Sequence, residues 1–377
     1  MESRLDGFFK TTKLELRTVE LSAALQLPLV SIIVTNHNYQ KYIVNAVESV
    51  AKQTYNNFER IIIDDCSIDR SPELATNFIN DLEDPRFRLI RLGLNLGQMG
   101  AMRAGLENAS GVFISFLDAD DVLLPNFIQK HVEAHLNSAF SGGVTACDTL
   151  QIDQEGNITE TTSHMLAKRR TPDPNAALKY ITSSYIPIIV ENSISFESEK
   201  PRELFYLERY VGGWLTSACS SLMFRRSILD LVCPKDVSVF RICADYYFAT
   251  FAHLISGTIV IPEALAAWRL HGRNNFSNNT NIGGRHAPGN FQAAGRYDAE
   301  IAKFVIMNFE RLSPVIGAST CHDIVCRFVP RHKLYKASRR SPSFQKFVGG
   351  GSKRKFWIRY GVYYRYVRKK NVSLCHD

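Results

Sequence analysis

Several features are missing from this 377-residue chain, and each absence closes a class. The eight cysteines (Cys66, Cys147, Cys219, Cys233, Cys243, Cys321, Cys326 and Cys375) form no CxxC pair, which excludes a small disulfide scaffold and a zinc finger and predicts a reducing, cytoplasmic setting. No window reaches about 18 uncharged apolar residues, so no membrane-spanning helix is predicted. The first 26 residues carry Glu2, Arg4, Asp6, Lys10, Lys13, Glu15, Arg17 and Glu20 instead of the apolar centre of a secretory signal. No internal repeat is visible, which excludes a repeat array.

What remains is an ordinary globular composition. Hydrophobic residues make up 45% of the chain, enough for a large core in two or three units. The net charge of +8 is uneven: residues 351–377 hold eight basic residues and one acid, leaving 37 basic against 36 acidic residues elsewhere. In that tail the cations alternate with Phe356, Trp357, Ile358, Tyr360, Tyr363, Tyr364 and Tyr366. Cations beside aromatic rings suit the headgroup layer of an anionic leaflet. Nucleic acid recognition uses similar chemistry and a solubilising terminus is the plain alternative, but the membrane surface is preferred and no nucleic acid is expected.

Hydrophobic patterning orders the first 125 residues. Val30-Ser31-Ile32-Ile33-Val34-Thr35 is a β-branched run ending in the polar Asn36-His37-Asn38, as a buried parallel strand would. Tyr42, Ile43, Ala46, Val47 and Val50 then recur at helical spacing. Further strands are predicted over 58–63, 87–92 and 112–117, and helices from Ser71-Pro72-Glu73 and over 97–109. Strands alternating with helices predict a parallel, doubly wound sheet, whose ligands bind beyond the carboxyl ends of the strands. Residues 35–38, 64–67 and 118–121 all lie at such ends. The segment 151–200 reads as largely polar and weakly patterned, 274–290 as a mobile loop, and 291–312 and 324–336 as helices.

Asp118, Asp120 and Asp121 follow an apolar strand. Three carboxylates at a strand end repel one another unless a cation sits among them, and hard oxygen ligands favour Mg or Mn, which hold phosphate oxygens. An acidic turn capping the next helix is the competing explanation. Asp64-Asp65 offers a second acidic pair, able to bind a ribose or a pyrimidine N–H, or simply to form an Asx turn. His131 and His135, four apart, read as part of an amphipathic helix rather than a zinc site, because Glu133 lies between them instead of beside the first histidine. Cys321, His322 and Cys326 are too sparse for a metal centre, and Gly349-Gly350-Gly351 reads as a hinge.

Taken in order, Val30 to Asn38, Gln53-Thr54-Tyr55, Ile63-Asp64-Asp65-Cys66-Ser67-Ile68-Asp69, Asn95-Leu96-Gly97 and Gly111 to Asp121 resemble family 2 of the inverting glycosyltransferases. The resemblance runs from about residue 29 to 125, and more loosely to 275. It implies a GT-A fold, a nucleotide-sugar donor (most often UDP-linked), and Mn2+ or Mg2+ held by the Asp-x-Asp element, Asp118 and Asp120. By position, Thr35, His37 and Asp65 would line the nucleoside pocket, Asp65 facing the base, although His37 stands where tyrosine is frequent. Ala101-Met102-Arg103 replaces the family's Ala-Arg-Asn and would offer a displaced basic contact at Arg103. Asp245, in Arg241-Ile242-Cys243-Ala244-Asp245-Tyr246-Tyr247-Phe248, matches the acid that serves as general base, with Ala244 in place of a frequent glutamate. Trp268-Arg269-Leu270-His271 resembles the segment closing over the diphosphate, so that Arg269 and His271 would steady the leaving group and His271 would help hold the metal.

The Gln-x-x-Arg-Trp element of processive members is absent, which favours single sugar additions. The expected organisation is an extension (1–28), a GT-A domain (29–275, with a nucleotide-binding half to 125 and an acceptor half beyond), a loop and helical extension (276–350) and a basic aromatic tail (351–377). The expected activity is metal-dependent, inverting transfer of one sugar to a hydroxyl acceptor, a glycan or a lipid-linked glycan, in glycan or polysaccharide biosynthesis. The location would be cytoplasmic, peripheral on the inner face of the membrane. A catalytically inactive nucleotide- or glycan-binding module is the alternative. A sugar nucleotidyltransferase is disfavoured, because Thr35-Asn36-His37-Asn38-Tyr39 lacks the glycine-rich loop such enzymes place after the first strand.

Overall fold

The structure, a computed structural model, describes residues 19–20, 25–136, 141–160, 178–183, 188–190, 193–195, 202–209, 218–274, 292–329 and 331–348. The predicted loop beyond Asn274, the triglycine hinge and the basic tail lie outside the described residues. Fourteen strands are described: β1 (Val19–Glu20), β2 (Val30–Asn36), β3 (Phe58–Asp64), β4 (Phe87–Arg91), β5 (Phe113–Asp118), β6 (Val122–Leu123), β7 (Val144–Ile152), β8 (Ile158–Glu160), β9 (Leu178–Ser183), β10 (Ile188–Val190), β11 (Ser193–Ser195), β12 (Arg202–Leu207), β13 (Leu222–Arg225) and β14 (Thr258–Arg269).

The main sheet runs β4-β3-β2-β5-β13-β7-β14-β12-β9, with β6 on β14 and β8 on β7. Strands β4, β3, β2 and β5 are mutually parallel, and β13 enters antiparallel between β5 and β7. Every residue of β2 is buried. Its Ile33 faces a layer containing Met99, Leu106 and Phe248, while Ile32 and Val34 face Ile43, Val47 and Val50. Covering both faces of a strand requires the near-continuous apolar run seen in its sequence. The helices Ile43–Ala51, Ser71–Leu82, Gly97–Asn108 and Phe127–His135 follow their strands as the patterning predicts. Together they form the GT-A arrangement, a mostly parallel sheet between helices.

Two elements carry the far half of the crevice. Strand β14 lies parallel to β7, with irregular register around Ile261 and Ala264 where Pro262 removes a donor. Its end pairs Ala266–Ala267 with Leu123 and Val122 of β6, which brings Arg269 against the turn after β5. The helix Ala244–Ser256 packs on the sheet through Phe248, stacked on Phe116 at 5.8 Å. The helices Gln292–Met307, Phe309–Ile316 and Ala318–Phe328 continue that layer; Phe251 meets Phe304 edge-on at 5.6 Å.

The weakly patterned 151–200 segment contains more strand than expected. Residues of β9 pair with β12, and β12 with β14, Leu178 opposite Leu207 and Phe205 opposite Val260. These strands are specified by one another and by β14 rather than by an apolar run or alternation of their own, so the local pattern does not announce them. The predicted helix over 291–312 is interrupted at Asn308, and that over 324–336 is two helices, Ala318–Phe328 and Arg331–Ser338.

Candidate active site

The crevice opens where β2, β3 and β5 end. Asn38 and Cys66, just past β2 and β3, have positive φ of 62° and 60°, a region that suits asparagine and is uncommon for other side chains. The two turns are tied together: Asn38 N–H donates to Ser67 Oγ (2.9 Å) and its Oδ1 accepts from Ile68 N–H (2.9 Å). Asp64 is buried and accepts from Asn36 Nδ2 (2.7 Å) and Ser67 N–H (3.1 Å), so it fastens one strand end to the next.

Asp65 turns toward the helix Gly97–Asn108. Its Oδ1 accepts from Leu96 N–H and its Oδ2 from Gly97 N–H, both at 2.7 Å, a carboxylate placed on the positive end of a helix. The Asp65 carbonyl can only accept, so His37, 2.8 Å away, carries its proton on Nδ1. His37 Nε2 then accepts from Asn95 Nδ2 and Asn38 Nδ2, each at 3.0 Å. Arg241 donates to both oxygens of Asn95, closing this network on its outer side.

The acidic group is held differently. Asp118 Oδ1 receives only longer bonds, from Thr35 Oγ1 (3.2 Å) and Gln98 Nε2 (3.3 Å). Burial, then the charges of Asp120 and Asp245, push its carboxyl up to about 7. Asp121, fully buried, accepts from Ser220 Oγ (2.6 Å) and Arg269 N–H (3.0 Å), and burial with the charges of Asp120 and Asp118 drives it well upward. Asp120 Oδ2 lies 2.9 Å from His271 Nε2. Burial pushes Asp245, in the first turn of its helix, up to about 6.

Aromatic rings wall this group. Tyr42 stacks on His271 at 5.2 Å and lies under the Arg269 guanidinium at 4.9 Å; Tyr39 meets His271 edge-on at 5.9 Å. Burial and the charges of Asp120, Asp118 and Asp121 raise the Tyr39 phenol. Arg269 is buried and donates from Nε to the Asp120 carbonyl (2.8 Å) and from Nη1 to the Asp153 carbonyl (3.2 Å). Asn274 completes the loop, donating to the Arg269 carbonyl (2.7 Å) and accepting from His271 N–H (2.9 Å).

Of the expected site residues, Thr35, Asp118, Asp120, Asp245, Arg269 and His271 are drawn to one group. His37 and Asp65 lie in the adjoining turns after β2 and β3. Arg103 does not join them: it sits six residues into its helix, and its guanidinium is paired with Glu107 (2.7 Å) and the Lys235 carbonyl (2.7 Å). Sequence reading alone left out Gln98, Ser220, Asn274 and Tyr39, and placed Tyr42 on the sheet-facing stripe; none sits in a run whose pattern marks it. His131 and His135 are fully buried, against Thr145 Oγ1 (2.6 Å) and the Met223 carbonyl (3.1 Å), and burial pushes His135 down to about 3. They are core histidines.

The donor set suits a divalent cation. Carboxylates that raise one another's affinity for protons would accept a metal ion in the proton's place. Among the described residues no group of three or more His, Cys, Asp or Glu side chains forms a ready-made cage. One or two carboxylates completed by phosphate oxygens and water is how Mg2+ is usually bound beside a nucleotide, and Asp118 with Asp120 fits that pattern.

A mostly parallel sheet between helices, with acids gathered at its carboxyl edge, is the architecture expected of a GT-A fold. Residues 31–210 match the sequence model of Glycosyl transferase family 2. It is 28% identical over 246 residues to an uncharacterized glycosyltransferase of Nostoc sp., covering 65% of this chain and 66% of that one. It is 36% identical over 113 residues to the Escherichia coli UDP-Glc:alpha-D-GlcNAc-diphosphoundecaprenol beta-1,3-glucosyltransferase WfgD, covering 30% and 43%. Both matches span less than two thirds of the relative's own length. Residues 1–349 of S. aureus TarS superpose with a TM-score of 0.49 at 16% identity, covering 87% of this chain and 77% of that one.

Proposed function

We propose that the protein is a metal-dependent, inverting glycosyltransferase that moves one sugar from a UDP-sugar to a hydroxyl acceptor in glycan assembly. The observation that carries this reading is the gathering of Asp118, Asp120 and Asp245, with Gln98 bridging Asp118 to the helix of Asp245 and His271 bonded to Asp120; the charges of Asp120 and Asp245 help raise Asp118. The match to the family 2 sequence model supports the transfer, and the UDP-glucose donor and diphosphoundecaprenol-linked acceptor of WfgD support UDP and a carrier-linked glycan acceptor.

Asp245 takes the acceptor hydroxyl's proton as that oxygen attacks the anomeric carbon. The bond from that carbon to the diphosphate oxygen breaks, and the electron pair leaves with the nucleotide. A carboxyl raised to about 6 is largely ionised at neutral pH yet more basic than an ordinary aspartate. Asp118 and Asp120 would hold a Mn2+ or Mg2+ ion, whose charge offsets that of the diphosphate. Arg269 and His271 flank Asp120, the Arg269 guanidinium adding positive field on the leaving-group side and His271 holding Asp120 through its 2.9 Å hydrogen bond. Thr35, His37 and Asp65 line the nucleoside side; each Asp65 oxygen keeps a second lone pair for a base N–H.

The reading also places an anionic membrane beside the C-terminus. Residues 331–377 contain 14 basic residues and one acid, and Lys333, Lys336, Arg339, Arg340 and Lys346 are exposed. Sedimentation with vesicles containing anionic lipid checks this part.

The principal test uses calorimetry and a donor panel. UDP should bind in a Mn2+- or Mg2+-dependent manner, and one UDP-sugar should turn over. Asp120→Asn and Asp245→Asn should fold and lose turnover. Full activity in both variants, or tight nucleotide binding without hydrolysis or transfer of any donor by the wild type, would overturn the reading.

A further inference from the structure

Gln98 is assigned no role by the family resemblance, yet it is the side chain that spans the crevice. Its Nε2 donates to Asp118 Oδ1 (3.3 Å) and its Oε1 accepts from Ala244 N–H (2.9 Å). The orientation of the amide is fixed by Ala244: a peptide N–H only donates, so Oε1 must face it, and Nε2 is thereby turned to Asp118.

Each bond meets a need. The first N–H groups of a helix have no partner within it, and the residue before Ala244–Ser256, Cys243, has positive φ of 56° and supplies no side-chain cap. Gln98 provides the cap from 146 residues away. The backbones beside it are clamped as well: Gln98 N–H donates to the Arg241 carbonyl (2.9 Å) and Met99 N–H to that of Phe240 (3.3 Å). Gly97, at φ +75°, lets the segments touch, since a Cβ there would come within 2.7 Å of Arg241 Cα. The amide of Gln98 thus joins the carboxylate at the end of β5 to the first turn of the helix bearing Asp245.

We propose that Gln98 is a positioning residue that sets Asp245 relative to Asp118, and therefore the base relative to the bound donor. The inference rests on the transferase reading above. It predicts a rate effect without a binding effect, because a displacement of about 1 Å at a reacting group can cost on the order of 10²-fold while leaving distant contacts intact.

The test compares Gln98→Met, which keeps length and loses both bonds, with Gln98→Glu, which keeps an oxygen for Ala244 N–H and turns a second carboxylate on Asp118. Both are made in the full chain. Hydrolysis of the best UDP-sugar of the panel should fall about 30- to 100-fold in kcat for Gln98→Met. Its donor KM and UDP Kd should stay within about threefold of wild type. Gln98→Glu should bind Mn2+ at least about threefold more tightly, because it adds an oxygen ligand. That reading needs no turnover and decides the matter if Gln98→Met fails to fold. A kcat within threefold of wild type in Gln98→Met, a loss confined to KM and UDP Kd, or unchanged Mn2+ affinity in Gln98→Glu would each overturn the proposal. If the wild type hydrolyses no donor, the transferase reading falls instead. If the wild type is active, Asp245→Asn is not, and Gln98→Met is normal, only the role of Gln98 falls.

Discussion

Two carboxylates at the same edge of one sheet, 53 residues apart in sequence, are treated in opposite ways. Asp65 receives two backbone N–H groups at 2.7 Å from a helix terminus. Asp118 receives two side-chain donors at 3.2 and 3.3 Å and sits in the field of Asp120 and Asp245, which helps raise it to about 7. The fold satisfies the first with two short backbone donors and leaves the second with weaker ones. Under the proposed function that imbalance is an advantage, because a bound cation would recover stabilisation the folded chain withholds.

Removing the group left closest to the chemistry should break the comparison most severely. Asp245→Asn should lower turnover about 10²- to 10⁴-fold, the usual range for a general base, with UDP affinity in Mn2+ retained by calorimetry. The pH profile sharpens the same point. Base catalysis needs the ionised carboxylate, so kcat should rise about tenfold per pH unit below about 6 and level off above it. Stability should run the other way: from about pH 4 to 6 the folded chain keeps a proton that the unfolded chain releases, so unfolding free energy falls as pH rises. A flat rate profile between pH 5 and 7 contradicts the assignment of Asp245.

Next in size is the response to ligand. With Mn2+ and UDP at about 100 times Kd, thermal unfolding should show a gain of about 2.7 kcal/mol, and Asp120→Asn should abolish it. Asp65→Asn should instead leave one backbone N–H without an acceptor and cost about 1–3 kcal/mol in urea titrations without ligand. An Asp65 variant of undiminished stability would mean that its two short bonds stabilise nothing.

The same contrast explains what could be read in advance. Strands β2, β3 and β5 are buried on both faces and adjacent in the sheet, so Val30–Asn36 and Phe113–Asp118 announce themselves by composition, and the acids that end them follow. Gln98, Ser220 and Asn274 are polar residues whose partners lie 20 to 146 positions away or across a tight loop. Their identity carries no period, so only the fold reveals them. Strands β9 and β12 were hidden for a related reason: they are specified by each other and by β14, not by alternation along 151–200.

The smallest expected effect is at Arg103, and it tests how sharply the site is bounded. Arg103 shares its helix with Gly97 and Gln98, whose terminus forms part of the crevice, but six residues at 1.5 Å each carry it about 9 Å along the axis. There it is paired with Glu107 four residues on and with the Lys235 carbonyl. A side chain so placed contributes a surface ion pair, commonly worth under about 1 kcal/mol. Arg103→Ala should therefore shift stability by about 0.5 kcal/mol or less in urea titrations and leave UDP affinity within about twofold. A larger loss of nucleotide binding would mean that this arginine swings from Glu107 to the phosphates when donor is present, and the boundary between structural and substrate-facing charge on this helix would have to be moved.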